Sequence, residues 1–311
     1  MTDKLQKFLF EGAAVRGELV EISETWQQVQ ARHDYPKAVK ALLGEMLSAA
    51  ALLSANLKFD GATVLQIHGD GPVRLLVVEC DSALRMRATA KLAPDVQIDD
   101  STTLQQLVHA HGNGRFVITL DPREKLPGQQ PYQGVVPLDG DNIATVIENY
   151  MMRSEQLDTR IWLAADDHVS RGMLLQKLPV EGGVEGYGND DHLEPETWNH
   201  LVTLASTLET EEMLNTDIDT LLRRLFWEET IRIFEPARPH FDCTCSREKV
   251  GDMLRMLGQA EVDAALAEQG RLDIRCDFCG QSYAFDSVDC AQLFVADTLS
   301  DSILPSSDSI H

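Results

Sequence analysis

Cys243-Thr244-Cys245 and Cys276-Asp277-Phe278-Cys279-Gly280 decide how this chain is read. Four of the six cysteines fall in two close pairs with 30 residues between them, the arrangement that brings four sulfurs around one tetrahedral ion. Zinc is the expected ion, one per chain. Four thiolates leave no open position for a substrate, so the expected site is structural and not hydrolytic. In the Cys-x-x-Cys-Gly half, glycine supplies the permissive backbone after the second ligand. The Cys-x-Cys half reaches the same ion only if the chain bends sharply at Thr244. Both pairs are flanked by charge (Asp242, Arg247, Arg275 and Asp277), which disfavours reading them as ordinary buried cysteines. His240 and Cys290 are competing ligands, but using either leaves a close-spaced thiol idle.

A chain of 311 residues with 43% hydrophobic content is long enough for two domains and a substantial core. Its net charge of -23 argues against nucleic acid as a partner, because affinity for phosphates rests on lysine and arginine releasing counterions. The cysteine region does not escape this: Phe241 to Cys290 holds five basic and ten acidic residues, which disfavours a nucleic-acid-binding zinc ribbon. The amino terminus has no apolar signal core. The longest apolar stretch, Met46 to Leu57, is too short to span a bilayer, so no membrane association and a cytoplasmic location are expected. Thiols are kept reduced there, which favours metal binding or redox sensing over a static disulfide framework.

Residues 5 to 22 alternate as strands do, with Leu5, Phe8 and Phe10, then Val15, Gly17, Leu19 and Glu21 on one side of the pleat. Ser23 is placed to cap a helix running to about His33, Pro36 to open the next, and Ala38 to Leu57 has helical spacing. Ala62 to His68 and Val73 to Cys80 read as strands joined by a tight turn at Gly69-Asp70-Gly71-Pro72, with Leu84 to Lys91 a third. No helix start follows that turn, so it is not read as a phosphate loop. Arg115 to Leu120, Tyr132 to Val136, Thr159 to Ala165 and Met173 to Leu178 are further strands, and Asp141 to Glu155 is a helix. The polar run Tyr150 to Gln156 reads as a helix end with a capping arginine. It offers no conventional nucleophile and base pair, and an enzyme is not expected. The first 180 residues are therefore expected to form a mixed-sheet α/β (α+β) domain, with Cys80 in its core.

From Leu178 through Leu222 there is no lysine or arginine, and there are eleven carboxylates. The segment opens with a glycine-rich hinge (Gly182, Gly183, Gly186, Gly188) and then carries Trp198, Leu201, Leu208, Met213, Leu221, Leu222 and Phe226 at helical spacings. A disordered linker would not carry so much apolar surface. The expectation is an acidic, metastable helical region over 181–240, held by packing on its neighbours and opposed by its own charge. Thr230 to Glu235 reads as a strand entering the cysteine module at 241–295. Within that module Ser246 starts a helix to Leu257, Ala260 to Gln269 forms a second, and Leu272 to Phe285 makes a hairpin around the Cys-x-x-Cys turn. Residues 296–311 are expected to be a disordered tail.

Cys-Thr-Cys-Ser-Arg-Glu at 243–248 and Cys-Asp-Phe-Cys-Gly at 276–280 resemble the redox-switch zinc centre of the 33 kDa chaperonin family of bacterial heat-shock holdases. Arg16-Gly17-Glu18-Leu19-Val20, His33-Asp34-Tyr35-Pro36, Gly69-Asp70-Gly71-Pro72, Tyr132-Gln133-Gly134-Val135-Val136 and Met152-Arg153-Ser154-Glu155-Gln156-Leu157 extend the resemblance over nearly the whole chain. It implies a substrate-binding domain, a metastable linker and a small carboxy-terminal zinc domain. It further implies an ATP-independent holdase, inactive when reduced and zinc-bound, that binds unfolding proteins after oxidation of Cys243, Cys245, Cys276 and Cys279 to disulfides, usually as a homodimer. On Cα reach, Cys276 and Cys279 are expected to pair first and Cys243 with Cys245 second. Cys80 and Cys290 lie outside the four-cysteine pattern. Two other classes stay open at this point: a thiol-disulfide oxidoreductase using Cys276 and Cys279, and a static zinc-stabilised interaction module.

Overall fold

The computed structural model describes residues 3–124, 130–179 and 195–301, and within them the alternating amino-terminal stretch forms β1 (Lys4–Phe10) and β2 (Val15–Ile22). Helix α1 (Glu24–Gln30) follows, and its cap differs from expectation. The Ser23 side chain makes no capping bond to this helix; the Asp3 carboxylate instead accepts from the backbone N–H of Ser23, Glu24 and Thr25 at 2.6, 2.8 and 2.9 Å. A charged acceptor from the residue just before β1 satisfies the helix's orphan donors better than a local hydroxyl.

Helix α2 (Lys37–Ser54) is buried over most of its length. Strands β3 (Gly61–His68), β4 (Val73–Asp81) and β5 (Arg85–Leu92) come next, then the short helix α3 (Leu104–Val108), opened by a Thr103/Gln106 capping box. Strands β6 (Arg115–Pro122) and β7 (Tyr132–Val136) lead to α4 (Ile143–Tyr150), capped by Asn142. The helix expected over 141–155 is thus two pieces, since Met151–Glu155 winds as a π-helical turn ending at a left-handed Gln156. Strands β8 (Thr159–Ala165) and β9 (Ser170–Lys177) complete this part.

The acidic region supplies α5 (Pro195–Ala205), α6 (Thr210–Asn215) and α7 (Ile218–Leu225). The glycine hinge and the carboxylates of Glu181, Glu185, Asp190, Asp191 and Glu194 lie outside the described residues. Strands β10 (Ile231–Ile233) and β11 (His240–Phe241) precede α8 (Arg247–Leu257), α9 (Gln259–Gln269), β12 (Leu272–Arg275), β13 (Ser282–Phe285) and α10 (Ser287–Asp301). Helix therefore covers 296–301, which the sequence assigned to the tail; residues 302–311 lie outside the described residues.

The chain forms two units, Met1–Asp242 and Cys243–His311. The first holds two sheets, ordered β10-β1-β2-β9-β8 and β11-β5-β4-β3-β6-β7, with α2 packed against strands of both. The small residues Ala49, Ala50 and Ala51, all fully buried, let that helix approach so closely. Cys80 is fully buried in the core they share. A second apolar cluster lies on the other face of the five-stranded sheet, where Phe8, Phe10, Val15, Leu19, Met173 and Leu175 meet Trp198, Leu201, Met213, Leu221, Leu222 and Phe226 of the acidic region.

The stretch Thr230–Glu235 does not enter the cysteine module. It returns to the first sheet, where β10 runs antiparallel to β1 with Ile233 opposite Phe8 and Ile231 opposite Phe10. An open edge strand offers unpaired N–H and C=O groups, and a short alternating segment next in the chain satisfies them.

Candidate metal centre

The second unit is built around a small core of Leu254, Val262, Leu272, Phe285 and Cys290. Ser246 caps α8 by accepting from the Lys249 N–H, which fixes the chain just after Cys245. Arg247, one residue on, is held three ways: it donates to the Ala284 carbonyl at 2.6 Å, pairs with Asp289 at 2.8 Å and stacks over the Phe285 ring at 4.2 Å. The first cysteine pair is thereby tied to β13 and α10.

The second pair sits in the turn between β12 and β13. The Cys276 N–H donates to the Gln281 carbonyl at 2.9 Å, and the Gly280 N–H donates back to the Cys276 carbonyl at 2.8 Å. Gly280 takes φ +75°, the left-handed conformation expected of a glycine after the second cysteine.

All four sulfurs lie within 4.8 Å of one another, the group of potential metal ligands found among the described residues. Cys243 Sγ is 3.7 Å from Cys276 Sγ, and Cys245 Sγ is 3.3 Å from Cys279 Sγ. A tetrahedral ion with metal–sulfur bonds of about 2.3 Å separates its sulfurs by roughly 3.8 Å, whereas a disulfide needs about 2.05 Å. The quartet has metal-site spacing and could hold one ion.

Tyr283 was not singled out by sequence, since one aromatic in a strand carries no signal of this kind. Its hydroxyl donates to Cys245 Sγ at 3.1 Å. Burial pushes the Cys245 thiol up, but the bonds from Tyr283 and the neighbouring cysteines outweigh it and bring it down to about 7. Burial and the other three cysteines push Cys279 up to about 12. Cys245 is thus the thiol of the set that ionises most readily, through the Tyr283 hydroxyl and its sulfur neighbours. Cys290 is a core residue of this unit, 1% exposed, and Cys80 belongs to the first unit, its thiol raised by burial to about 12. His240 lies in β11 of the first unit.

The acidic helices have cations of their own only at the end of α7, where Arg224 pairs with Glu212 of α6 at 2.8 Å, and the rest of their anchoring comes from cations outside them. Arg171 of β9, 2% exposed, pairs with Glu21 across the β2–β9 ladder at 2.7 Å and donates to the carbonyls of Met213 (2.7 Å) and Thr216 at the end of α6. Lys4 pairs with Asp219 at 2.7 Å, and Lys177 lies 5.3 Å from the Trp198 ring centre. Phe226, at the end of α7, packs on Phe10 and Phe8 with ring centres 5.0 and 5.8 Å apart.

The family model described as Hsp33 protein matches residues 3–286. The 33 kDa chaperonin of Methylobacillus flagellatus is 46% identical over 312 residues, covering 100% of this chain and 99% of the relative. That of Chromobacterium violaceum is 49% identical over 297 residues, covering 96% and 95%. The crystal structure of the 33 kDa chaperonin (heat shock protein 33 homologue) of Thermotoga maritima shares the fold, with a TM-score of 0.76 at 22% identity over 95% of this chain and 99% of that one. With this fold and this cysteine quartet, the chain belongs to the Hsp33 family of chaperones.

Proposed function

We propose that this chaperone is a redox-regulated, ATP-independent holdase whose switch is a four-cysteine zinc site formed by Cys243, Cys245, Cys276 and Cys279. The carrying observation is the clustering of four sulfurs within 4.8 Å, on a chain whose acidic helices cover an aromatic sheet face. Bound zinc supplies folding energy to a module whose own core is small. Three regions divide the work: 1–180 binds substrate, 181–240 covers it, and 241–295 senses oxidant.

Oxidation by two equivalents of peroxide takes four electrons from the four thiolates. Each equivalent accepts two electrons and two protons to give two waters, and one S–S bond forms, Cys276 to Cys279 first and then Cys243 to Cys245. Disulfide sulfurs are no longer ligands, so the module loses its scaffold. Residues 226–242, which run from the acidic helices into Cys243, carry that loss back toward α7. Phe8, Phe10 and Leu19 are then free to bind unfolding clients in the cytoplasm, with the active form a homodimer.

The test treats reduced, metal-loaded protein with peroxide or hypochlorous acid under mild heat, then follows metal release, disulfide mapping and light scattering of an aggregating client. Suppression of scattering only after oxidation is the expected result. Both bonds formed with no gain in suppression would leave a static module, and turnover of a disulfide substrate an oxidoreductase.

A further inference from the structure

We propose that the outer edge of β1 is the place where an unfolding protein is held, by adding an extended segment as a new strand once residues 230–242 let go. This rests on the holdase reading above and names the surface and the kind of partner. At present those residues cover two sheet edges as a strap. On β1, Leu5 exchanges both backbone bonds with Ala237 (2.8 and 2.9 Å), the Lys7 carbonyl accepts from the Phe234 N–H (3.0 Å), and the Glu11 N–H donates to the Thr230 carbonyl (2.8 Å). At the start of β5, the carbonyls of Met86 and of Leu84, just before the strand, accept from the Asp242 and His240 N–H, each at 3.0 Å.

The strap holds on by backbone bonds more than by burial. Ile233 and Phe234 are 53% and 42% exposed, and its strands β10 and β11 are three and two residues long. What it covers is longer and more apolar: β1 is a seven-residue strand carrying Leu5, Phe8 and Phe10, all at most 1% exposed. The strap is also the chain that runs into Cys243, so loss of the cysteine module acts on it directly. Its departure leaves the donors and acceptors of Leu5, Lys7 and Glu11 unpaired beside an aromatic row, an edge ready for another strand.

The occupant must do what the strap does. It must be extended, and it must place an apolar side chain at every second position, as Ile231 and Ile233 do opposite Phe10 and Phe8. Any unfolding protein supplies such segments in its own exposed strands. A second copy of β1 is a poorer fit, because antiparallel pairing would bring Lys4 and Lys7 toward their own equivalents and two chains of charge -23 together.

Hydrogen exchange on the full chain, reduced, oxidised and oxidised with a thermally unfolding client, tests this residue by residue. On oxidation the amides of Phe234, Ala237, His240 and Asp242 should exchange at least about tenfold faster and stay fast, while those of Leu5 and Glu11 speed up and are slowed again by client. A peptide copying residues 229–236 gives the second measurement. N-methylation at the positions of Arg232 and Phe234, which face β1, should weaken binding to oxidised protein by at least about tenfold, and at Ile231 and Ile233 by less than about twofold. Equal sensitivity of the two peptides, or strap amides that stay protected on oxidation, overturns the proposal while aggregation suppression leaves the holdase reading standing. Reprotection of Leu5 and Glu11 without client, rising with protein concentration, overturns it in favour of self-pairing. Absence of suppression removes the holdase reading and this inference with it.

Discussion

The Phe8 ring lies over Gly17, its direct partner in the β1–β2 ladder, so that a Cβ at Gly17 would overlap the ring. The missing side chain lets the ring settle where it meets Phe10 and Phe226, the contact that seats the end of α7 on the sheet. Gly17→Ala must push Phe8 outward. A loss of about 1–3 kcal/mol is expected, together with faster hydrogen exchange in α5–α7 of the reduced protein and partial suppression of client aggregation without oxidant. Unchanged exchange in those helices would show that Phe8 does not seat them.

Arg171 is the buried cation of the acidic region's docking site. Removing it leaves Glu21, whose carboxyl burial already raises, without its counter-ion and the carbonyls of Met213 and Thr216 without their donor. Arg171→Ala should cost about 3–5 kcal/mol. Arg171→Met with Glu21→Gln should recover much of that, since no buried charge is left unpaired. Urea unfolding followed at Trp198 reads both, and a double variant as weak as the single one would contradict the ion-pair account.

Metal analysis of the reduced protein should give one ion per chain, and Cys279→Ser should abolish it. Because metal binding and folding are one event in modules of this size, worth roughly 10–16 kcal/mol of apparent free energy, residues 243–294 should lose their slow-exchanging amides in that variant. Those of β3, β4 and β9 should be unaffected. Full metal content in Cys279→Ser would exclude the four-sulfur site.

Glu45, on α2, lines a cleft of about 340 Å³ with Glu148, Thr210 and Met213, and burial raises its carboxyl from 4.5 to about 7. The folded chain therefore holds a proton between those values that the unfolded chain has released. Stability should fall as pH rises through that window and stay low above it. Glu45→Gln removes the cost of the buried charge and should stabilise the protein by about 1–3 kcal/mol at pH 8, with little effect near pH 4.5. Glu18, also raised to about 7 by burial, keeps part of the slope. Thermal melts at pH 5 and pH 8 decide it, and equal gains at both would refute the buried-charge explanation.

Periodicity and spacing determined much of this protein before any coordinate. The alternation at 5–22, the strands around Gly69-Asp70-Gly71-Pro72, the helix that became α2 and the two cysteine pairs are local patterns, and local backbone preference and ligand reach are enough to read them. The acidic stretch also announced that it must pack on something, because it carries apolar surface without cations of its own. What only the tertiary structure decided are pairings across distance. Asp3, not Ser23, satisfies the start of α1; Arg171, Lys4 and Lys177 supply the charges missing from 178–222; Tyr283 donates to Cys245; and residues 230–242 turn back to close two sheets. A hydrogen-bond donor or a strand edge accepts any partner of the right geometry, so which partner it finds is settled by where the whole chain brings them together.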